Sequence, residues 1–223
     1  MSRQRSAARL RWRSFFVLAG VLVLAGGSQH PDAVQGVPYN VHTADMTADA
    51  MWVPAHLLML AGFLALFVAL LAARGDAGFR ARAGWTLTPA LVGAALSVVE
   101  LVFHTAAKVD HDALLDGGSA PIALTHESLA VVAYPVLGLS LAFLAWRLAV
   151  GAPAWMWVVA AVGIAGGLLQ AVSAPLVIGT QDQEYSPIFK GAILICAWLV
   201  ATGIAGLRTS RTRAVERHAA PIP

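Results

Sequence analysis

The sequence predicts an all-α fold, a polytopic transmembrane helical bundle of six helices. Three observations predict it. Apolar residues make up 58% of the chain and fall in long blocks. Only 12% of the residues are charged, about half the share of a typical soluble domain. Lysine and arginine gather in alternate connecting segments, as expected for a chain that crosses a bilayer repeatedly. The length of 223 residues suits one compact unit embedded in lipid.

Five apolar blocks are long enough to cross a membrane, because a spanning helix needs about 20 mostly apolar residues. They must be helical, since lipid offers no partner to unpaired backbone groups. The five blocks are Met51–Ala73, Trp85–Ala107, Ile122–Trp146, Ala154–Ile178 and Pro187–Leu207. A sixth block, Phe15–Gly27, is shorter, follows a basic segment and ends in small residues. That layout also fits a cleaved signal peptide, in which case five helices remain.

The positive charges predict the orientation and the limits of the bundle. Residues 1–14 form a basic cytoplasmic N-terminus, 15–207 a single transmembrane helical domain, and 208–223 a basic cytoplasmic tail. This arrangement puts 13 of the 15 lysines and arginines on the cytoplasmic side and leaves only Lys108 and Lys190 outside. We therefore expect a multi-pass protein of the cell membrane with both termini cytoplasmic and its His/Asp-rich loops outside.

Tryptophans are expected at the two membrane boundaries, where their amphipathic rings are favoured. Trp52 marks the predicted outer boundary. The predicted inner boundary carries Trp12, Trp85, Trp146, Trp155 and Trp157.

Composition also excludes some classes of function. The basic residues lie at helix ends rather than in one patch, so nucleic acid is not an expected partner, whereas the bilayer and other membrane proteins are. Cys196 is the only cysteine, so neither an internal disulfide nor a cysteine-based zinc site is available within one chain.

Histidines form a layer just below the predicted outer face. His56, His104 and His126 come from three different spans and lie roughly 5–8 Å below the interface at 1.5 Å per residue. Glu100 is one turn below His104, so both point from the same helix face. Glu127 directly follows His126. Gln170, Ser173 and Lys190 reach a similar depth from the last two spans.

This layer predicts a transition-metal site, because ionisable groups inside a membrane are costly and usually mark function. Imidazole suits zinc, copper and iron, and a carboxylate can complete the ligand shell. The predicted ligands are His56, His104, His126 and Glu100. Glu100 is alternatively a general base acting on metal-bound water. Supporting residues around the ligands are Glu127, Gln170 and Ser173.

Three other interpretations stay open at the level of sequence, and so does the question of whether the chain is an enzyme. Two of the histidines on facing helices could ligate a b-type haem for electron transfer. The His/Glu layer could couple a transporter to protons. The histidines could also be interfacial residues of a structural or assembly protein without a cofactor. No Glu-x-x-His or His-Glu-x-x-His motif is present, and no family is recognised.

Several local features complete the expectations. The stretch from Thr43 to Asp49 could begin a helix early, with Thr43 or Asp45 as its N-cap. His30, His42 and His111 are expected in polar loops, with Asp110-His111-Asp112 solvated. Small residues form stripes that serve either close helix contact or space for a bound group. These stripes contain Pro89, Gly93 and Ser97 on the third span, and Gly163, Gly166, Gly167 and Ala174 on the fifth.

Overall fold

A computed structural model describes residues 2–31 and 36–219, with side chains from 12 to 31 and from 36 to 206. In these ranges the regular secondary structure is helical, without strands, and the all-α prediction is confirmed. The elements are α1 (Ser2–Gly27), α2 (Tyr39–Ala48), α3 (Trp52–Arg74), α4 (Ala77–Ala83), α5 (Leu87–Ala106), α6 (His111–Leu115), α7 (Pro121–Ala149), α8 (Ala154–Thr180) and α9 (Gly191–Ala219). Three 3₁₀ segments, Gly84–Thr86, Ala107–Asp110 and Gln183–Lys190, join them.

Six long helices form a closed ring in chain order. α1 packs on α3, α3 on α5, α5 on α7, α7 on α8, α8 on α9, and α9 returns to α1. Five of these stretches are long and apolar enough to cross a membrane, and the apolar part of α1, Trp12–Gly27, is shorter. Long helices that follow one another in the chain are neighbours in the ring, so they alternate in direction. The ring therefore has two distinct ends.

Glycines allow the helices to approach closely, which settles their role in favour of packing. A Cβ added to Gly167 on α8 would lie 2.5 Å from the carbonyl oxygen of Gly138 on α7. A Cβ at Gly62 on α3 would lie 2.9 Å from the backbone nitrogen of Val23 on α1. These contacts are the expected consequence of small residues at membrane helix interfaces. The small-residue stripes thus fix the spacing of the ring.

The outward surface of the ring is apolar. On α3, exposed leucine and valine side chains recur at helical spacing, at Leu57, Leu64, Val68 and Leu71. Soluble proteins rarely expose apolar patches of this extent, whereas hydrocarbon tails accept them. The architecture is that of a multi-pass membrane protein.

One end of the bundle, here named the histidine end, contains residues 28–31, α2, residues 107–120 and residues 181–190. It is more ordered than the sequence predicted. α2 begins at Tyr39, after Pro38, so neither Thr43 nor Asp45 is its N-cap. The Thr43 hydroxyl instead donates to the Tyr39 carbonyl at 2.9 Å within the helix. The early start of the second span is thus a separate short helix.

The segment around Asp110 is not a solvated loop, which corrects the sequence-based expectation. Asp110 is buried, and its carboxylate accepts from the backbone nitrogens of Ile122 at 2.6 Å and Ala123 at 3.0 Å. These are unpaired donors at the first turn of α7, which attract a carboxylate. His111 Nδ1 lies 2.9 Å from the Ala44 carbonyl, so it ties this segment to α2.

Tryptophans are divided between boundary and interior positions. Four of the expected boundary tryptophans are exposed at the end opposite the histidine end: Trp85, Trp146, Trp155 and Trp157. Trp12 and Trp52 are buried inside the bundle rather than exposed at its surface. Trp12 packs against Phe16 and Phe79, and its indole nitrogen donates to Asp76 Oδ2 at 3.3 Å.

The helix bounds follow the predicted spans except at the two outermost helices. α1 begins at Ser2 rather than residue 15. α9 begins at Gly191 rather than Pro187, because residues 183–190 form a 3₁₀ segment containing that proline. The side chains of His218, Asp32 and most of the terminal arginines lie outside the described residues. The orientation and the 1–14, 15–207 and 208–223 divisions therefore stay predictions.

Candidate metal centre

Three neighbouring helices of the ring bring the predicted histidines into contact. His56 lies one turn into α3, His104 in the last turn of α5, and His126 near the start of α7. The ring centroids of His56 and His104 are 4.2 Å apart. Those of His104 and His126 are 3.7 Å apart, with the planes nearly parallel at 22°. The three imidazoles therefore form one continuous cluster at the histidine end.

Glu100 lies beneath this cluster and is completely buried. Its Oε1 is 2.6 Å from His126 Nδ1 and 3.3 Å from His104 Nδ1. Despite these short distances, neither contact has the geometry of a hydrogen bond, and both nitrogens and both carboxylate oxygens are without a hydrogen-bond partner among the described residues. The nitrogen–oxygen distances are short enough for hydrogen bonds, but the angles are not suitable. The angles decide, because a hydrogen bond weakens steeply away from its axis. The three groups converge on a common region rather than on each other.

His56 is the second fully buried member of the cluster. Its Nδ1 lies 2.6 Å from the Trp52 carbonyl oxygen. A carbonyl oxygen only accepts, so Nδ1 carries the proton and Nε2 carries the lone pair. Nε2 is buried and has no hydrogen-bond partner among the described residues.

Trp52 packs against the cluster. Its ring centroid is 4.1 Å from that of His56 and 5.1 Å from that of His104. The indole nitrogen donates to the Thr105 carbonyl at 3.3 Å, which joins the start of α3 to the end of α5. The apolar face of the indole lowers the local dielectric and strengthens any charge interaction in the cluster.

His30 is a member that the sequence analysis assigned to a polar loop. It lies just beyond the end of α1, and its backbone nitrogen is 3.4 Å from the Gly27 carbonyl. Its ring centroid is 4.9 Å from that of His56 and 6.2 Å from that of His104. The sequence could have predicted this position, because the end of the first span and the start of the second must lie at the same membrane face. His30 stands three residues beyond that end.

Two overlapping groups of possible ligand atoms result. His30, His56 and His104 form one group, and Glu100, His104 and His126 form the other. Within each group all the ligand atoms lie within 4.8 Å of one another. His104 belongs to both.

Glu127 faces a different partner. Its carboxylate lies beside the Tyr39 hydroxyl of α2 and interacts with it electrostatically. Burial, and then the nearby Glu127 carboxylate, raise the pKa of Tyr39 well above its usual range. Glu127 therefore connects α7 to the short helix that covers the histidine end.

The remaining predicted site residues are not joined to the cluster. Gln170 and Ser173 are buried on α8, where the Ser173 hydroxyl donates to the Gln170 carbonyl at 2.9 Å. In the described part of the chain no hydrogen bond links either of them to the histidines. Lys190 is exposed at the end of the last 3₁₀ segment.

Fold and site together define a multi-pass helical membrane protein with a His/Glu cluster suited to a metal ion. Comparison with known protein families, with curated proteins and with solved structures finds no match for the chain.

Proposed function

We propose that this protein binds a transition-metal ion, zinc, copper or iron, at Glu100, His104 and His126, with His56 next to them. One observation carries the proposal. Five buried nitrogen and oxygen atoms of these four residues have no hydrogen-bond partner among the described residues: Glu100 Oε1 and Oε2, His104 Nδ1, His126 Nδ1 and His56 Nε2.

Such atoms are expensive to bury. More than nine in ten buried polar groups in proteins have a partner. An unpaired polar group costs roughly 1–3 kcal/mol, and more when it is charged. A cation between the carboxylate and the imidazoles would satisfy these atoms together. It would also neutralise the negative charge of Glu100 in a medium that screens it weakly.

The donor set supports a transition metal. Imidazole nitrogen suits zinc, copper and iron, and carboxylate oxygen completes the ligand shell of each. In a tetrahedral site with bonds of about 2.0–2.1 Å, neighbouring ligand atoms are about 3.3 Å apart. The His104–Glu100 separation of 3.3 Å matches this value. The His126–Glu100 separation of 2.6 Å is shorter, so the His126 ring would move back slightly on binding.

We infer that Glu100 is a ligand rather than a general base. A general base must reach the proton that it removes from a bound water or substrate. Glu100 is completely buried beneath two imidazoles. Its position therefore favours direct coordination.

The haem alternative gains no support from this geometry. Two axial imidazoles lie on opposite faces of a porphyrin, so the macrocycle must fit between them. The stacked rings of His104 and His126 are in van der Waals contact at 3.7 Å, and His56 is only 4.2 Å from His104. A porphyrin would require these helices to separate.

The same proposal includes an orientation. The histidine end faces outward from the cell membrane, and both termini are cytoplasmic. The support for this orientation is that 13 of the 15 lysines and arginines lie in the segments predicted to be cytoplasmic. Reporter fusions at the connections after α3 and after α5 test it. Activity of an externally active reporter after α5 but not after α3 is expected, and the reverse pattern contradicts the orientation.

Metal binding is tested by equilibrium titration of zinc, copper(II) and iron(II) into detergent-purified protein stripped with a chelator. Glu100→Gln, His104→Ala and His126→Ala are expected to weaken binding of the ion at these three residues at least about 100-fold, since loss of an outer contact alone costs 10–100-fold. Glu127→Gln and His111→Ala are the matched controls. They change the adjacent carboxylate and a histidine at the same end, and they should bind like the unaltered protein. Binding that is absent, or equal in all five variants, contradicts the proposal.

A further inference from the structure

The two ligand groups of the cluster share His104. The two ring nitrogens of His104 therefore have different neighbours. His104 Nδ1 lies 3.3 Å from Glu100 Oε1. The other ring nitrogen, Nε2, lies on the opposite edge of the imidazole. His104 offers one ring nitrogen to the group with His30 and His56, and Nε2 is the nitrogen that Glu100 leaves for it.

Backbone carbonyls fix the chemical form of the other two histidines. His56 Nδ1 is 2.6 Å from the Trp52 carbonyl oxygen, and His30 Nδ1 is 2.9 Å from the Pro31 carbonyl oxygen. Both nitrogens must be protonated donors, because a carbonyl only accepts. The lone pair of each ring is then on Nε2. Histidine ligands are commonly held in this way, with one nitrogen donating to an acceptor and the other on the metal.

We infer that the centre is binuclear, with a second ion held by Nε2 of His30, His56 and His104. This inference rests on the proposed function. The second ion lies beside the first, and the His104 ring bridges them through its two nitrogens. A bridging imidazole must lose its remaining ring proton, which passes to solvent, so His104 becomes an imidazolate between the two cations.

The two halves differ in ligand chemistry. The half with Glu100 contains a carboxylate oxygen, whereas the half with His30 contains imidazole nitrogen alone. Three imidazoles favour copper or zinc over cations that prefer oxygen ligands. The second ion also depends on α1, because His30 is held at its end.

The test is the molar ratio of metal to protein after saturation with zinc or copper(II) and removal of the excess, in the full chain in detergent. Two ions per chain are expected. His30→Ala and His56→Ala should each retain one, His126→Ala should retain one, and His104→Ala should retain none. His111→Ala should keep two. His30 lies outside the long helices, so its variant is the least disturbing to folding, and a monodisperse elution profile confirms that.

The electron paramagnetic resonance of the copper(II) form gives a second readout. Two copper ions joined by an imidazolate couple magnetically, so the signal should account for less than the copper present. In His30→Ala the single remaining ion should give its full intensity. One ion in the unaltered protein, retained in His30→Ala but lost in His126→Ala, overturns the second ion and leaves the proposed function standing. A single ion that both variants lose also overturns it, since all the ligands then serve one site. No ion at all overturns both.

Discussion

His104 and His126 stack with their ring centroids 3.7 Å apart although they belong to different helices, and both present Nδ1 to the same oxygen of Glu100. The contact joins the end of α5 to the start of α7 at the point where the ring of helices is most polar. A ligand bound here would therefore stabilise the helix packing itself.

Metal should raise the melting temperature of the protein. An ion that binds only the folded state at 100 times its Kd adds about 2.7 kcal/mol to the free energy of unfolding. Thermal unfolding in detergent, followed with zinc and then with excess chelator, measures the effect. The shift should disappear with the chelator and be smaller in Glu100→Gln, which changes only the half of the cluster that contains Glu100. An equal shift in that variant would mean that metal stabilises the protein elsewhere.

Trp52 should report metal binding. Its ring is 4.1 Å from His56 and 5.1 Å from His104, close enough for copper(II) to quench its fluorescence. Trp52→Phe is expected to lose the quenched component while still binding copper. Trp85→Phe, at the exposed opposite end, is the control and should be quenched like the unaltered protein. If Trp52→Phe is quenched to the same extent, the copper lies away from this cluster.

Gly167 should tolerate no side chain. A Cβ there would lie 2.5 Å from the Gly138 carbonyl oxygen and 2.9 Å from the Ala142 backbone nitrogen. Backbone atoms of α7 would have to move, so Gly167→Ala should lower the free energy of unfolding by about 1–3 kcal/mol. Gly179, on the same helix, has no atom within 4 Å of an added Cβ. Gly179→Ala should be neutral or slightly stabilising, and equal losses in the two variants would contradict the close contact.

The contact between the Tyr39 hydroxyl and the Glu127 carboxylate should hold α2 onto α7. Tyr39→Phe is expected to cost about 1–2 kcal/mol, because the carboxylate loses this polar partner. Tyr185→Phe, whose side chain is exposed, is the control and should cost nothing. Thermal unfolding compares the two.

The pH dependence of this contact follows from the direction in which the pKa of Tyr39 is shifted. The pKa of Tyr39 is raised, so the neutral hydroxyl is the form that the fold favours. Its contribution is complete below the ordinary tyrosine pKa of about 10 and is lost only as the pH rises through the raised value. The difference between Tyr39→Phe and the unaltered protein should therefore be constant from about pH 6 to 9. A difference that disappears within this range would contradict the assignment.

The sequence predicted the bundle and most of the cluster because both depend on polarity along the chain. Long apolar blocks must be helices in lipid, and depth along a helix follows from residue number. His56, His104 and His126 could thus be placed in one layer. That they meet follows from the order of the ring, in which α3, α5 and α7 are consecutive neighbours.

The direction in which each side chain points around its helix, and so the neighbour that it contacts, was harder to predict from the sequence. Glu127 follows His126, and successive residues on a helix point about 100° apart. This spacing agrees with its contact with Tyr39 instead of the cluster. Trp52 has the amphipathic side chain that is typical of a membrane boundary. Only the packing of the helices shows that it is buried inside the bundle. The sequence around Asp110 predicts a solvated loop residue. Only the structure shows that the start of α7, twelve residues later, lies beside it.

The closed ring has a consequence for the order in which the chain is made. Every proposed ligand lies within the first 126 residues, on α5, α3, α7 and the end of α1. α8 and α9 are synthesised afterwards and complete the ring by packing against α7 and α1. During synthesis the nascent chain thus carries its full set of ligands while one side of the bundle is still open to the lipid. Docking of α9 on α1 is the step that closes the ring.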